Sequence, residues 1–140
     1  MRSYLQLARP ANIVTAWADV LAGFAVTGGL AAVHIQAETL GWLLLSTTGL
    51  YAGGVAFNDV FDANLDAVER PERPIPAGRV TRQNAAIFAG SLLLGGIAAA
   101  FAASPAAGLL ALAIAAAALV YDAYGKHHAL LGPINMGLCR

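Results

Sequence analysis

Four apolar segments dominate this chain and restrict it to one kind of architecture. They run roughly from Ala11 to Val33, Thr39 to Phe57, Gln83 to Ser104 and Pro105 to Tyr124. Each approaches the ~20 residues an α-helix needs to cross a bilayer. A fifth apolar run begins near Ala129 and reaches Arg140 after about three turns. Charged residues make up only 11% of the chain, against about 25% in ordinary soluble domains. The expected fold class is therefore all-α: a polytopic transmembrane helical bundle, with four complete spans and the start of a fifth. The first apolar segment is long and lacks a clear cleavage site, so it does not read as a signal peptide.

The basic residues predict a topology. Arg2 and Arg9 precede the first span, and Arg70, Arg73, Arg79 and Arg82 lie between the second and third. Lys126 follows the fourth, and Arg140 falls within the start of the fifth. The other two connections carry no Lys or Arg, so every basic loop falls on one face, which the positive-inside rule makes cytoplasmic. A bacterial inner membrane is the expected location, with the N-terminus inside. The formal net charge is zero, which leaves no broad basic surface for nucleic acid. The lone Cys139 offers neither a disulfide framework nor a CxxC motif.

Five of the eight acidic residues fall between Asp59 and Glu72. Asp59, Asp62 and Asp66 are spaced i, i+3 and i+7, which places them on one helical face, with Asn58 at its border. Like charges so close repel in apolar surroundings, and a divalent cation relieves that repulsion. Mg²⁺ favours oxygen ligands and is usually held by one or two carboxylates plus substrate phosphates. Asn58, Asp59, Asp62 and Asp66 are thus candidate metal ligands. Arg70, Arg73 and Arg79 follow closely, and guanidinium groups bind phosphate oxygens bidentately. They would equally neutralise the acids or mark the cytoplasmic face. Pro71, Pro74 and Pro76 preclude a regular helix here, and their spacing predicts an extended, stiff path holding the arginines in place.

Other polar groups are scattered along the spans. Asn12, Thr15 and Asp19 form a stripe on the first, and an ionisable residue within a membrane helix suggests a functional site. A structural role for Asp19, hydrogen-bonded to another helix, fits as well. Tyr121 and Lys126 sit where they would contact a phosphate or form an interfacial anchor. His127 and His128 read as solvated loop residues, and Trp17 and Trp42 as packing or interface residues. Gly49, Gly53 and Gly54 in the second span, with Gly95 and Gly96 in the third, predict close helix approach.

Several pieces in order resemble the UbiA superfamily of membrane prenyltransferases. They are Arg9-Pro10-x-Asn12, Asn58-Asp59-x-x-Asp62-x-x-x-Asp66, Arg73-Pro74-Ile75-Pro76-x-Gly78, Tyr121 to Lys126, and Gly132-x-x-Asn135-Met136-Gly137-x-x-Arg140. The stretch from Tyr121 to His128 also looks like the EboC-like branch. The resemblance implies about nine membrane helices around a central cavity. It implies transfer of a prenyl group from an isoprenoid diphosphate to an acceptor, with Mg²⁺ bridging the diphosphate to two aspartate-rich motifs. Asn58, Asp62 and Asp66 would be the catalytic members of the first motif. Arg73, Tyr121 and Lys126, with Arg70 and Arg79, would hold the diphosphate, and Asn12 and Asp19 would line the cavity. By this resemblance residues 1–140 are the N-terminal part of one prenyltransferase domain. The second motif would lie beyond Arg140, and this piece alone is expected to be inactive.

Other classes stay open from the sequence. An ion-coordinating transporter or channel would use Asp19 and the acid cluster, although the arginines would repel a permeating cation. A catalytically incomplete helper would bind the diphosphate lipid without turning it over. CDP-alcohol phosphotransferases need Asp-Gly-x-x-Ala-Arg, and here Val60 follows Asp59. The sequence leaves the acceptor and the prenyl length undefined.

Overall fold

The computed structural model describes residues 2–27 and 33–124, and among them every regular element is helical. The order is α1 (Arg2–Ala8), α2 (Pro10–Val26), α3 (Val33–Phe61), α4 (Ala63–Glu69), α5 (Arg82–Ala103) and α6 (Pro105–Ala123). The expected fifth segment from Ala129, together with Lys126, His127, His128, Cys139 and Arg140, lies outside the described residues.

Local chemistry sets several helix ends. Pro10 occupies the first turn of α2, where its missing N–H costs nothing. The Thr81 hydroxyl accepts the Asn84 N–H at 3.1 Å and starts α5. The Ser104 hydroxyl accepts the Ala107 N–H at 3.1 Å and starts α6, with Pro105 just behind it. Such caps satisfy donors that the helix itself leaves free.

α5 and α6 start and end within one residue of the apolar segments from Gln83 to Ser104 and from Pro105 to Tyr124, whereas the helices of the first two segments have other ends. α2 stops at Val26 after 17 residues, about 26 Å, rather than continuing to Val33. That is just short of the ~30 Å hydrocarbon core. α3 is longer than the expected Thr39–Phe57 and runs for 29 residues. Its ends are polar in sequence, and hydropathy marks where lipid contact stops, whereas backbone hydrogen bonding continues. Three helices are long and apolar enough to cross a membrane: α3 over Ala37–Phe61, α5 and α6.

The bundle is built on the crossing of α3 with α5. A Cβ on Gly49 would lie 2.6 Å from the Leu92 carbonyl oxygen and 2.8 Å from Gly96 Cα. A Cβ on Gly53 would lie 2.8 Å from Leu93 Cγ. The close approach predicted from the small residues is therefore present, and it uses Gly96 rather than Gly95, which faces open space. One cluster of buried side chains gathers Leu7, Ala56, Val60, Val80, Ala85 and Ala89. Tyr4 packs edge-on against Phe88 with ring centroids 5.1 Å apart. The short α1 is thereby docked beneath the end of the bundle that carries the acids.

Candidate functional site: an acid and arginine cluster at one end of the bundle

α3 ends at Phe61 and α4 begins at Ala63, with Asp62 as the joint. The break is slight, because the Asp62 N–H still reaches the Asn58 carbonyl at 2.9 Å and the Asp66 N–H reaches the Asp62 carbonyl at 2.8 Å. The i, i+3, i+7 spacing therefore keeps its meaning. Asp59 and Asp66 are 4% and 5% exposed, and Asp62 and Asn58 are half-buried.

Buried carboxylates need counter-charge or hydrogen bonds. Arg73 supplies both, donating from Nη1 to Asp59 Oδ1 at 3.1 Å and to Asp66 Oδ2 at 2.6 Å. Arg9 adds a second contact on Asp59, from Nη2 to Oδ1 at 2.7 Å. Burial pulls against the charge on Arg73, but the hydrogen bond to Asp66 and the nearby charges of Asp59, Asp66 and Asp62 outweigh it. The guanidinium is held above its ordinary pKa. Arginine thus relieves repulsion that the sequence pattern assigns to a cation. Among the described residues no group of three acidic, histidine or cysteine side chains is arranged to hold a metal by itself.

The loop that carries Arg73 departs from expectation. It is a compact series of turns rather than an extended path. The Pro74 carbonyl accepts the N–H groups of Arg79 and Val80, at 3.0 and 3.1 Å. The Ala77 N–H returns to the Arg73 carbonyl at 2.9 Å. Gly78 has φ +69°, a conformation glycine adopts without steric penalty. The prolines do exclude a helix, but their carbonyls remain acceptors and the chain curls around them. Ile75 and Val80 anchor the turns in the core cluster.

A basin of about 390 Å³ opens between this loop and α1. Arg9, Arg70, Arg73 and Arg79 line it, with Gln6, Glu72 and the edge of Asp59. Arg79 donates to the Glu72 carbonyl. The Arg70 side chain has no hydrogen-bond or ion-pair partner among the described residues.

Asn12, Asp19 and Tyr121 lie on other helices than the cluster. Tyr121 is half-buried on α6, and Lys126 lies outside the described residues. Asn12 and Asp19 are exposed on α2. The Thr15 hydroxyl donates to the Asn12 carbonyl at 2.6 Å, within the same helix. Asp19 borders a second cavity of about 340 Å³, mostly apolar, which Ser46, Thr47, Phe24 and Leu110 also line. That cavity sits toward the opposite end of the bundle. Trp17 Nε1 donates to Thr48 Oγ1 at 2.9 Å and ties α2 to α3. Arg9 is the residue that sequence reasoning undervalued, reading it as a topology marker and as part of Arg9-Pro10-x-Asn12. Its backbone is left-handed, with φ 46° and ψ 60°, a geometry that sequence does not reveal in an arginine.

Residues 13–140 match the profile of the UbiA prenyltransferase family. A digeranylgeranylglyceryl phosphate synthase of Methanothrix thermoacetophila is 42% identical over 93 residues, covering 66% of this chain and 33% of that protein. The enzyme of the same name from Methanospirillum hungatei is 31% identical over 137 residues, covering 96% of this chain and 46% of that one. A solved structure described as giving insights into digeranylgeranylglyceryl phosphate synthase in membranes superposes with a TM-score of 0.90 at 24% identity. It covers 99% of this chain and 48% of the other, and it bears on the fold alone. The chain spans a third to a half of the length of these curated relatives.

Proposed function

Because the chain belongs to the UbiA prenyltransferase family, we propose that it serves a membrane enzyme that moves a prenyl group from an isoprenoid diphosphate to an acceptor. The observation that carries this reading is Arg73 bridging Asp59 and Asp66 at the end of a membrane-length helix. It joins the two charge types that diphosphate chemistry needs. The relatives' name denotes a glyceryl phosphate lipid, and we take the same class of product as the working assignment.

UbiA-family prenyltransferases generally use Mg²⁺. The donor set here fits that ion, since carboxylate and carboxamide oxygens are hard ligands. Asp59 is taken by both Arg9 and Arg73, so the ion would rest on one or two oxygens of the Asn58, Asp62 and Asp66 set, with phosphate oxygens completing its shell. When bound, it would neutralise charge on the diphosphate.

The chain's own residues account for the rest. Cleavage of the donor's C1–O bond leaves the electron pair on diphosphate and an allylic cation that the acceptor captures, with loss of the acceptor's proton. Arg73 and Tyr121, with Lys126, are proposed to bind the leaving group, where fixed positive charge stabilises what develops in the transition state. Arg70 and Arg79 line the adjoining basin and do not pair with Asp59 or Asp66. Apolar helices exclude water that would otherwise quench the cation. The arginines of α1, α2's start and the loop all lie at one end of the bundle, which supports a cytoplasmic site.

The test is transfer of radiolabelled prenyl diphosphate by the full-length protein with Mg²⁺. Asp62→Ala should abolish product, and full turnover by that variant would overturn the reading. Diphosphate binding without transfer by the unaltered protein would indicate a helper instead.

A further inference from the structure

The basin between α1 and the turn-rich loop has a charge pattern that the donor site does not use. Arg9 is matched by Asp59 and Arg73 by Asp66. Arg70 and Arg79 then remain against the single carboxylate of Glu72. Arg79 is partly engaged with the Glu72 carbonyl, whereas the Arg70 guanidinium has no partner among the described residues. The basin thus holds surplus positive charge and one guanidinium whose donors are unused among the described residues. Its volume, about 390 Å³, falls in the range of small-ligand sites.

Asn58 and Asp62 do not line this basin. A diphosphate drawn to those residues would therefore meet the basin only at its edge, at Arg73. An anion inside the basin meets guanidinium groups directly and needs no metal. Guanidinium forks match phosphate oxygens bidentately. The basin also lies beside α1 and the start of α2, at the end of the bundle that carries the acids.

We propose that this basin is a second anion site, which takes the phosphate monoester headgroup of the acceptor lipid while the donor's diphosphate occupies the Asp62 side. The proposal rests on the prenyl-transfer reading and adds the place where the acceptor is recognised. It gives two anionic substrates separate seats, with the arginine-paired acids Asp59 and Asp66 as the partition between them.

The experiment uses the full-length protein in nanodiscs of neutral phospholipid, with wild type, Arg70→Gln and Arg70→Glu compared. Arg70 is exposed and has no side-chain partner among the described residues, so neither change removes a contact described in the fold. The Arg70→Gln variant should raise KM for a prenylglyceryl phosphate about tenfold, Arg70→Glu more, and leave KM for the prenyl diphosphate unchanged. The dephosphorylated acceptor should be used equally poorly by wild type and variants. A parallel rise in donor KM, or an unchanged acceptor KM, would overturn the proposal. Direct binding of labelled prenylglyceryl phosphate should weaken in the same order, and this arm is read even if wild type transfers nothing. Absence of transfer with Arg70-dependent binding would sink the prenyl-transfer reading and keep the site. Displacement of the label by anionic phospholipid as readily as by unlabelled acceptor would instead make the basin a general lipid-headgroup site and overturn the assignment.

Discussion

Arg9 Nη2 lies 2.7 Å from Asp59 Oδ1, joining the hinge before α2 to the end of α3 across 50 positions of sequence. Arg9 holds this contact from a left-handed backbone with φ 46°, a conformation that costs a non-glycine residue about 1–3 kcal/mol. Arg9→Ala keeps the strain and removes the charge from a carboxylate that is 4% exposed. We expect destabilisation of about 1–3 kcal/mol. Arg9→Gly loses the same ion pair but relieves the backbone, so it should be the milder variant. Thermal unfolding in detergent checks the order, and equal losses would mean that the left-handed joint carries no strain.

Gly95 and Gly96 offer a paired test of helix packing. A Cβ on Gly96 would lie 2.8 Å from the Leu50 nitrogen and 2.9 Å from the Ser46 carbonyl oxygen, while one on Gly95 meets nothing within 4 Å. Gly96→Ala should force α3 and α5 apart and lower stability by about 1–3 kcal/mol. Gly95→Ala should be neutral or slightly stabilising, since alanine favours helix by roughly 0.5–1 kcal/mol over glycine. Chemical denaturation of both variants measures the difference.

Arg73 reaches two carboxylates at once through a single nitrogen, Nη1. A lysine could replace that one nitrogen but offers no further N–H groups in a fixed plane for a phosphate, so Arg73→Lys should cut turnover at least tenfold although the charge is kept. The pKa of Arg73 is raised above the ordinary arginine value, because the Asp66 hydrogen bond and the nearby carboxylates outweigh burial. A raised folded-state pKa contributes stability that is complete below the unfolded value and fades only as pH climbs through the folded one. The Arg73 contribution should therefore be flat between about pH 6 and 9. A stability profile that changes in that window and flattens in Arg73→Gln would contradict this.

Chelation should separate activity from folding. Arginines already compensate Asp59 and Asp66, so the cluster does not depend on a cation to relieve its repulsion. EDTA should abolish transfer and leave the melting temperature almost unchanged. A large fall in melting temperature would show that the metal is a structural partner of the acids.

The sequence made the helical class, the last two spans and the acid face legible, because each is written in local pattern. Ser104-Pro105 marks its own joint, and the i, i+3, i+7 acids share a face wherever the chain is helical. The arginine partners were less legible. Whether Arg73 faces phosphate or Asp66 depends on how the loop curls, and that depends on Ile75 and Val80 finding a core formed by distant residues. Arg9 needed knowledge of a backbone conformation that no composition signals. The ends of α2 and α3 were misjudged because polarity and hydrogen bonding stop at different places: α2 ends inside its apolar run, and α3 continues beyond its own.

Ser104 alone separates α5 from α6, closing one helix and capping the next. From Gln83 to Tyr121 the chain has no charged residue. During synthesis the two helices therefore present the translocation machinery with a hairpin whose tip is a single serine. No charge has to be carried through a bilayer for that tip to reach the far side, and α3 lies against α5 at the glycine crossing.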